Sequence, residues 1–124
     1  MTKFAAMSNP TIELAVFKEL QDTAGEDFVM ELVDTFLADA PQMLSALREA
    51  LVAGDADGFR RAAHSLKSNG HTFGAMALGA LARELEHGGL AGARERHATG
   101  ESPLDAIDAE YTRVAAALTQ LRNG

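Results

Sequence analysis

Apolar residues recur every three or four positions through most of this chain, and nowhere do they alternate with polar ones over the length of a strand. That period constrains the fold more than anything else in the sequence. It puts one apolar stripe along each helix, and each stripe needs another to bury it. Val29, Leu32, Val33 and Phe36 make one such stripe. Pro41 lacks an N–H and crowds the preceding turn, so it is expected to break or kink the helix. Leu44, Leu47 and Leu51 resume the stripe as far as Gly54, a candidate left-handed terminator.

Asp55 or Asp57 can cap the next helix, whose inward residues would be Phe59, Ala63, Leu66, Gly70 and Phe73. Gly74 should end it or bend the chain. Leu78, Leu81 and Leu85 mark a further helix, expected to stop at Gly88 and Gly89 and to be followed by a polar loop rich in Gly, Arg and Glu. Ser102, Pro103 and Asp105 supply a cap, a first-turn proline and an acidic residue, close to a capping box. Leu104, Ile107, Tyr111, Val114, Leu118 and Leu121 then repeat to the C-terminus. Upstream, Asn9 and Pro10 read as the start of a short helix running to about Asp22, ahead of Gly25.

Five or six helices of this kind imply an all-α fold, an antiparallel four-helix bundle with a short N-terminal helix packed across one end. The 124 residues fit one domain, with residues 1–9 as a tail and 10–122 as the bundle. The stripes satisfy one another internally, so a monomer is expected.

A net charge of −7 disfavours nucleic acid as a partner. The longest apolar run, from about Gly74 to Ala82, is far short of the roughly 20 residues of a membrane span, and the N-terminus lacks a signal-peptide pattern. Cysteine is absent, which suits a reducing cytoplasm and removes thiol chemistry. There is no Gly-rich phosphate loop and no G-x-S-x-G elbow, and no pair of acidic residues stands out as an acid/base couple. The acidic residues read instead as solvated faces.

One helical face does not read as core. At about 100° per residue, Arg60, His64, Lys67 and His71 fall away from the Phe59–Leu66 stripe, with Ser68 beside them. An exposed histidine is ordinarily just solvated, and His87 and His97 are read that way. Here, however, two cations, two imidazoles and a hydroxyl share one strip of an acidic protein, an arrangement that invites an anion. An imidazole with one ring nitrogen free is a competent nucleophile towards phosphorus, and a lysine one turn on would balance phosphoryl oxygens. Small residues nearby, Ser68, Gly70 and Gly74, would let a partner approach. A shared metal is unfavourable, because His64 and His71 stand about 10.5 Å apart along the axis, and no two histidines have i, i+4 spacing.

The run from Ala63 to Ala75 resembles the signature of histidine phosphotransfer (Hpt) domains. It has the histidine His64, then Leu66, Lys67, the small Ser68, and Gly74 ten positions after the histidine. Leu78, Leu81, Leu85 and Glu86 look like the family's next helix, and Asp27, Phe28, Leu32 and Phe36 add to the likeness, which spans roughly residues 10–121. The resemblance implies a carrier without kinase activity. His64 would accept a phosphoryl group from a receiver-domain aspartate and pass it to another response regulator. Lys67 would stabilise the phosphoryl group, and Glu86 would orient the imidazole. Arg60, Ser68, Gly70, His71 and Gly74 would belong to the docking surface. No cofactor of its own is implied, since Mg²⁺ would sit on the partner receiver. The partners implied are receiver domains of response regulators or of a hybrid histidine kinase. Many members have glycine where this chain has Ser68, a departure that keeps the residue small. The alternative is a helical adaptor that binds a kinase or receiver without taking a phosphoryl group. The start at Met1 and the length lean towards a free-standing carrier.

Overall fold

The computed structural model describes residues 11–123. Its five helices are α1 (Leu14–Ala24), α2 (Glu26–Ala53), α3 (Ala56–Thr72), α4 (Met76–Ala98) and α5 (Pro103–Asn123). Each of the four long helices packs on the next, and α5 closes the ring against α2, while α1 lies on α2 and α3. This is the all-α bundle that the apolar period implies. Its core runs along the axis through Val33, Phe36, Leu47, Phe59, Leu66, Leu78, Ile107, Val114 and Leu118, all nearly or fully inaccessible to solvent.

Three local expectations need correction. Among the described residues the first helix begins at Leu14, because residues 11–13 are not helical; the Asn9–Pro10 signal itself lies outside the described residues. Ile12 is buried instead, and Glu13, with extended backbone, donates its N–H to the Gly74 carbonyl at 2.8 Å. Of the break or kink expected at Pro41, the break is absent: α2 is continuous through it. A proline deprives the carbonyl four residues earlier of its helical donor. That carbonyl belongs to Leu37, and the Tyr111 hydroxyl of α5 donates to it across a long 3.4 Å. Tyr111 is held there edge-on to Phe36, with centroids 5.8 Å apart.

Finally, the polar loop expected after Gly89 is helix. Gly89 itself is non-helical, with φ +68°, so α4 is two helical segments joined at a kink. The second segment buries only Leu90 and Ala93, too sparse a stripe to stand out among its Arg, Glu and Ala residues, which are nonetheless good helix formers. Arg94 on that segment donates to the Leu51 carbonyl at 2.8 Å, satisfying one of the unpaired acceptors at the end of α2.

The helix that matters most is α3. Asp55 caps it, its carboxylate accepting the Gly58 N–H at 2.9 Å. Asp57, the other candidate cap, instead pairs with Arg60 at 2.5 Å and Arg61 at 2.9 Å. Phe59, Ala63, Leu66, Gly70 and Phe73 all point inward, as their spacing implied. Gly54 ends α2 in the left-handed region, φ +76°, so the two helices meet in a tight turn. Salt bridges tie α2 to α5: Arg48 to Asp105 and Asp108, and Arg122 to Asp34. Glu110 departs from the solvated pattern of the acidic residues, since it is buried and chelated by Arg113 at 2.6 and 3.0 Å.

Candidate functional site

Two helices that run side by side bring three charged or titratable groups together. From α3 come His64 and Lys67, one turn apart, and from α4 comes Glu86. The Glu86 carboxylate uses both oxygens: Oε2 lies 2.7 Å from His64 Nδ1, and Oε1 lies 2.7 Å from Lys67 Nζ. A Cβ on Gly70 would stand 3.1 Å from the Gly79 nitrogen, a tight contact, so glycine lets the two helices come close here. Close approach of the two helices brings a short glutamate within reach of both partners.

Exposure differs across the trio in a way that assigns roles. The His64 side chain is 57% exposed, against 27% for Lys67 and 21% for Glu86. The ring therefore stands open to solvent, with the ion pair seated below it. Hydrogen bonds from Lys67 first, and from His64 second, hold the Glu86 carboxyl below the usual glutamate range. An ionised carboxylate can only accept, so Nδ1 carries the ring proton. Nε2, on the other edge of the ring, holds the lone pair whenever the ring is neutral and has no hydrogen-bond partner among the described residues. The arrangement gives a fixed tautomer, an open nucleophilic nitrogen and an ammonium one turn away.

The Hpt domain family matches residues 31–124. The chain belongs to that family. The crystal structure of histidine-containing phosphotransfer protein B (HptB) from Pseudomonas aeruginosa PAO1 is similar to this Hpt domain, with a TM-score of 0.80 and 32% identity over 92% of this chain and 96% of that one. No curated protein matches it significantly.

Within the Hpt domain, the other expected site residues separate into two groups. Arg60 and Ser68 are exposed on the strip around His64. Gly70 and Gly74, also expected there, are both buried. Gly74 has φ +83°, and a Cβ there would lie 2.8 Å from the Glu13 carbonyl oxygen. Its missing side chain makes room for the backbone at Glu13, just as that of Gly70 makes room for α4. Spacing alone could not distinguish clearance for a partner from clearance for the chain itself.

His71 is exposed, but its ring is laid over the Cα of Gly79, so that a Cβ at Gly79 would meet His71 Nε2 at 2.4 Å. It borders a shallow depression with Arg83, Glu84 and His87 of α4 and does not join the His64 trio. His97 is exposed near the end of α4. The second partner of Glu86, Lys67, was not expected from the sequence. The only signal for it was that His64 and Lys67 are one turn apart on one helix, so a group reaching one can reach the other. Among the described residues no three histidines or acidic residues cluster closely enough to hold a metal ion, and no helix is long and apolar enough to cross a membrane.

Proposed function

We propose that this Hpt domain carries a phosphoryl group on Nε2 of His64, taking it from the aspartyl phosphate of one receiver domain and giving it to the aspartate of another. The observation that supports this most is the His64 ring clamped at Nδ1 by Glu86 with its other nitrogen open. In the forward step the Nε2 lone pair attacks phosphorus, the P–O bond to the aspartyl carboxyl breaks, and the carboxylate departs with that electron pair. Lys67 lies close enough to offset charge on the phosphoryl oxygens. Glu86 orients the imidazole and fixes its tautomer.

The partner receiver contributes the acidic pocket and its Mg²⁺, and this chain contributes the acceptor without kinase activity of its own. Arg60 and Ser68 rim the docking surface, with His71 at its edge. A carrier that must engage and release partners in turn needs a modest interface. We read the chain as a monomer, because its apolar stripes are largely buried within the bundle, and as cytoplasmic, because it has no cysteine and its proposed partners are receiver domains.

Transfer from a phosphorylated receiver in the presence of Mg²⁺, comparing the native chain with His64→Gln, tests the reading. Acid-labile, alkali-stable label on the native chain and none on the variant is expected, at an unchanged melting temperature. Robust labelling of the variant would move the acceptor, with His71 next in line. Failure of both chains to take label from several receivers would leave an adaptor.

A further inference from the structure

Glu86 is shared: one oxygen serves the ring and the other the lysine that phosphoryl oxygens would need. An amide at this position could accept a hydrogen bond from Nδ1–H, but it could not hold a proton there by charge or form an ion pair with Lys67. We propose that Glu86 is a positioning residue that sets the lifetime of phosphorylated His64 by keeping the proton on Nδ1 of the phosphorylated ring, in competition with Lys67. This rests on His64 being the phosphoacceptor.

The chemistry follows from the leaving group. When the phosphoryl group departs to an aspartate carboxylate or to water, the P–Nε2 bond breaks and its electron pair returns to Nε2. If Nδ1 is protonated, the group that leaves is neutral imidazole. If Nδ1 is bare, the group is an imidazolate anion, far more basic and a much poorer leaving group. A carboxylate 2.7 Å from Nδ1 favours the protonated ring by charge and by hydrogen bond. Lys67 acts against this in two ways: its ammonium repels a ring cation, and it draws on the same carboxylate. Once phosphoryl oxygens are present they offer Lys67 an alternative anion, and each step of its transfer to them frees Glu86 for the ring.

Other charges around His64 are few. On α3 itself they are Arg60 and Arg61, both engaged by Asp57, together with Lys67. On α4 they are Glu86, with Arg83 and His87 adjacent along the helix. From the α2 side, Asp39, Glu49 and Asp55 line a groove with Arg61, on a different flank of α3. The Glu13 backbone near the start of α1 meets the chain at Gly74, ten residues beyond His64. Glu86 is the only carboxylate hydrogen-bonded to the ring among the described residues.

The test needs no partner protein. The full chain is phosphorylated with phosphoramidate, a small donor to histidine, and loss of label is followed across a pH series for the native chain, Glu86→Gln and Lys67→Gln, with His64→Gln as the site control. In each labelled chain the rate should fall through a midpoint as pH rises. Glu86→Gln should move the midpoint to lower pH by about one unit, giving a phosphohistidine about tenfold longer-lived above both midpoints. Lys67→Gln should move it the other way and shorten the lifetime. Nitrogen NMR of the native phosphorylated ring follows Nδ1 protonation directly, independently of how well either variant folds. Label confined to His64 with coincident midpoints in native chain and Glu86→Gln would overturn the inference, as would an Nδ1 found bare at neutral pH. Label that persists in His64→Gln would instead overturn the phosphoacceptor assignment on which it rests.

Discussion

The two faces of α3 are built on opposite rules. Inward, Phe59, Ala63, Leu66 and Gly70 meet the other helices with almost no solvent exposure. Outward, His64 and Lys67 depend on a single residue of a neighbouring helix, Glu86, for their arrangement. The inner face contributes stability through area and close packing. The outer face contributes chemistry and, being open to water, little stability. One helix can therefore hold a reactive group in fixed geometry without burying it, provided its other side is anchored firmly enough.

The harshest test of that division is on the inner face. Leu66 is fully buried two residues from His64. Leu66→Ala removes its packing and leaves a cavity, and it should cost about 2–5 kcal/mol of stability in a chemical denaturation curve. A loss below about 1 kcal/mol would mean that α3 is not anchored as tightly as its burial implies.

A smaller effect, but a sharper one, is expected at Gly74. This residue links the end of α3 to the entering N-terminal segment. Gly74→Ala puts a methyl where the Glu13 carbonyl already sits and forces a left-handed φ on a residue with a side chain. It should destabilise by about 1–3 kcal/mol while leaving the open strip intact. If the glycine served partner clearance instead, the alanine chain would melt like the native one and lose only its response to a receiver.

These two residues also mark what the sequence made legible. Leu66 belongs to a stripe with a period, and its inward position follows from geometry alone. So do the bundle class, the start of α5 at Pro103 and the outward position of His64. The packing role of Gly74 does not follow, because a glycine at a fixed distance from a histidine looks the same whether a partner or its own chain fills the space. Pro41 failed as a breaker for a similar reason: the hydroxyl answering its unpaired Leu37 carbonyl comes from Tyr111, far away in sequence. The helix beyond Gly89 was hidden because its stripe is only Leu90 and Ala93. Pairing of His64 with Glu86 could be expected only through the family resemblance, and the bond from Glu86 to Lys67 not even through that. Contacts between helices set these outcomes, and periodicity along one helix carries no information about them.

The mildest effect expected is a dependence on acid, and it compares a tie between helices with the site itself. Arg122 holds the Asp34 carboxyl below its ordinary range through paired hydrogen bonds, and Lys67 followed by His64 does the same for Glu86. A carboxyl with a lowered value in the folded chain binds its proton less readily there than when unfolded. Above the ordinary carboxylate range both states are ionised and the stabilisation is complete. As pH falls through that range, the unfolded chain takes up the proton first. The benefit shrinks and is gone below the folded value. Asp34 is half exposed and Glu86 lies at the surface under His64, so solvent screens both and each difference should be small. The native melting temperature should stay nearly level down to about pH 5 and fall below about pH 4. Asp34→Asn and Glu86→Gln should each lower it slightly at neutral pH and converge on the native chain in acid. A gap that stays constant from neutral to strongly acidic solution would show that the carboxylates act through shape rather than charge, and for Glu86 it would remove the electrostatic contrast between the two faces of α3.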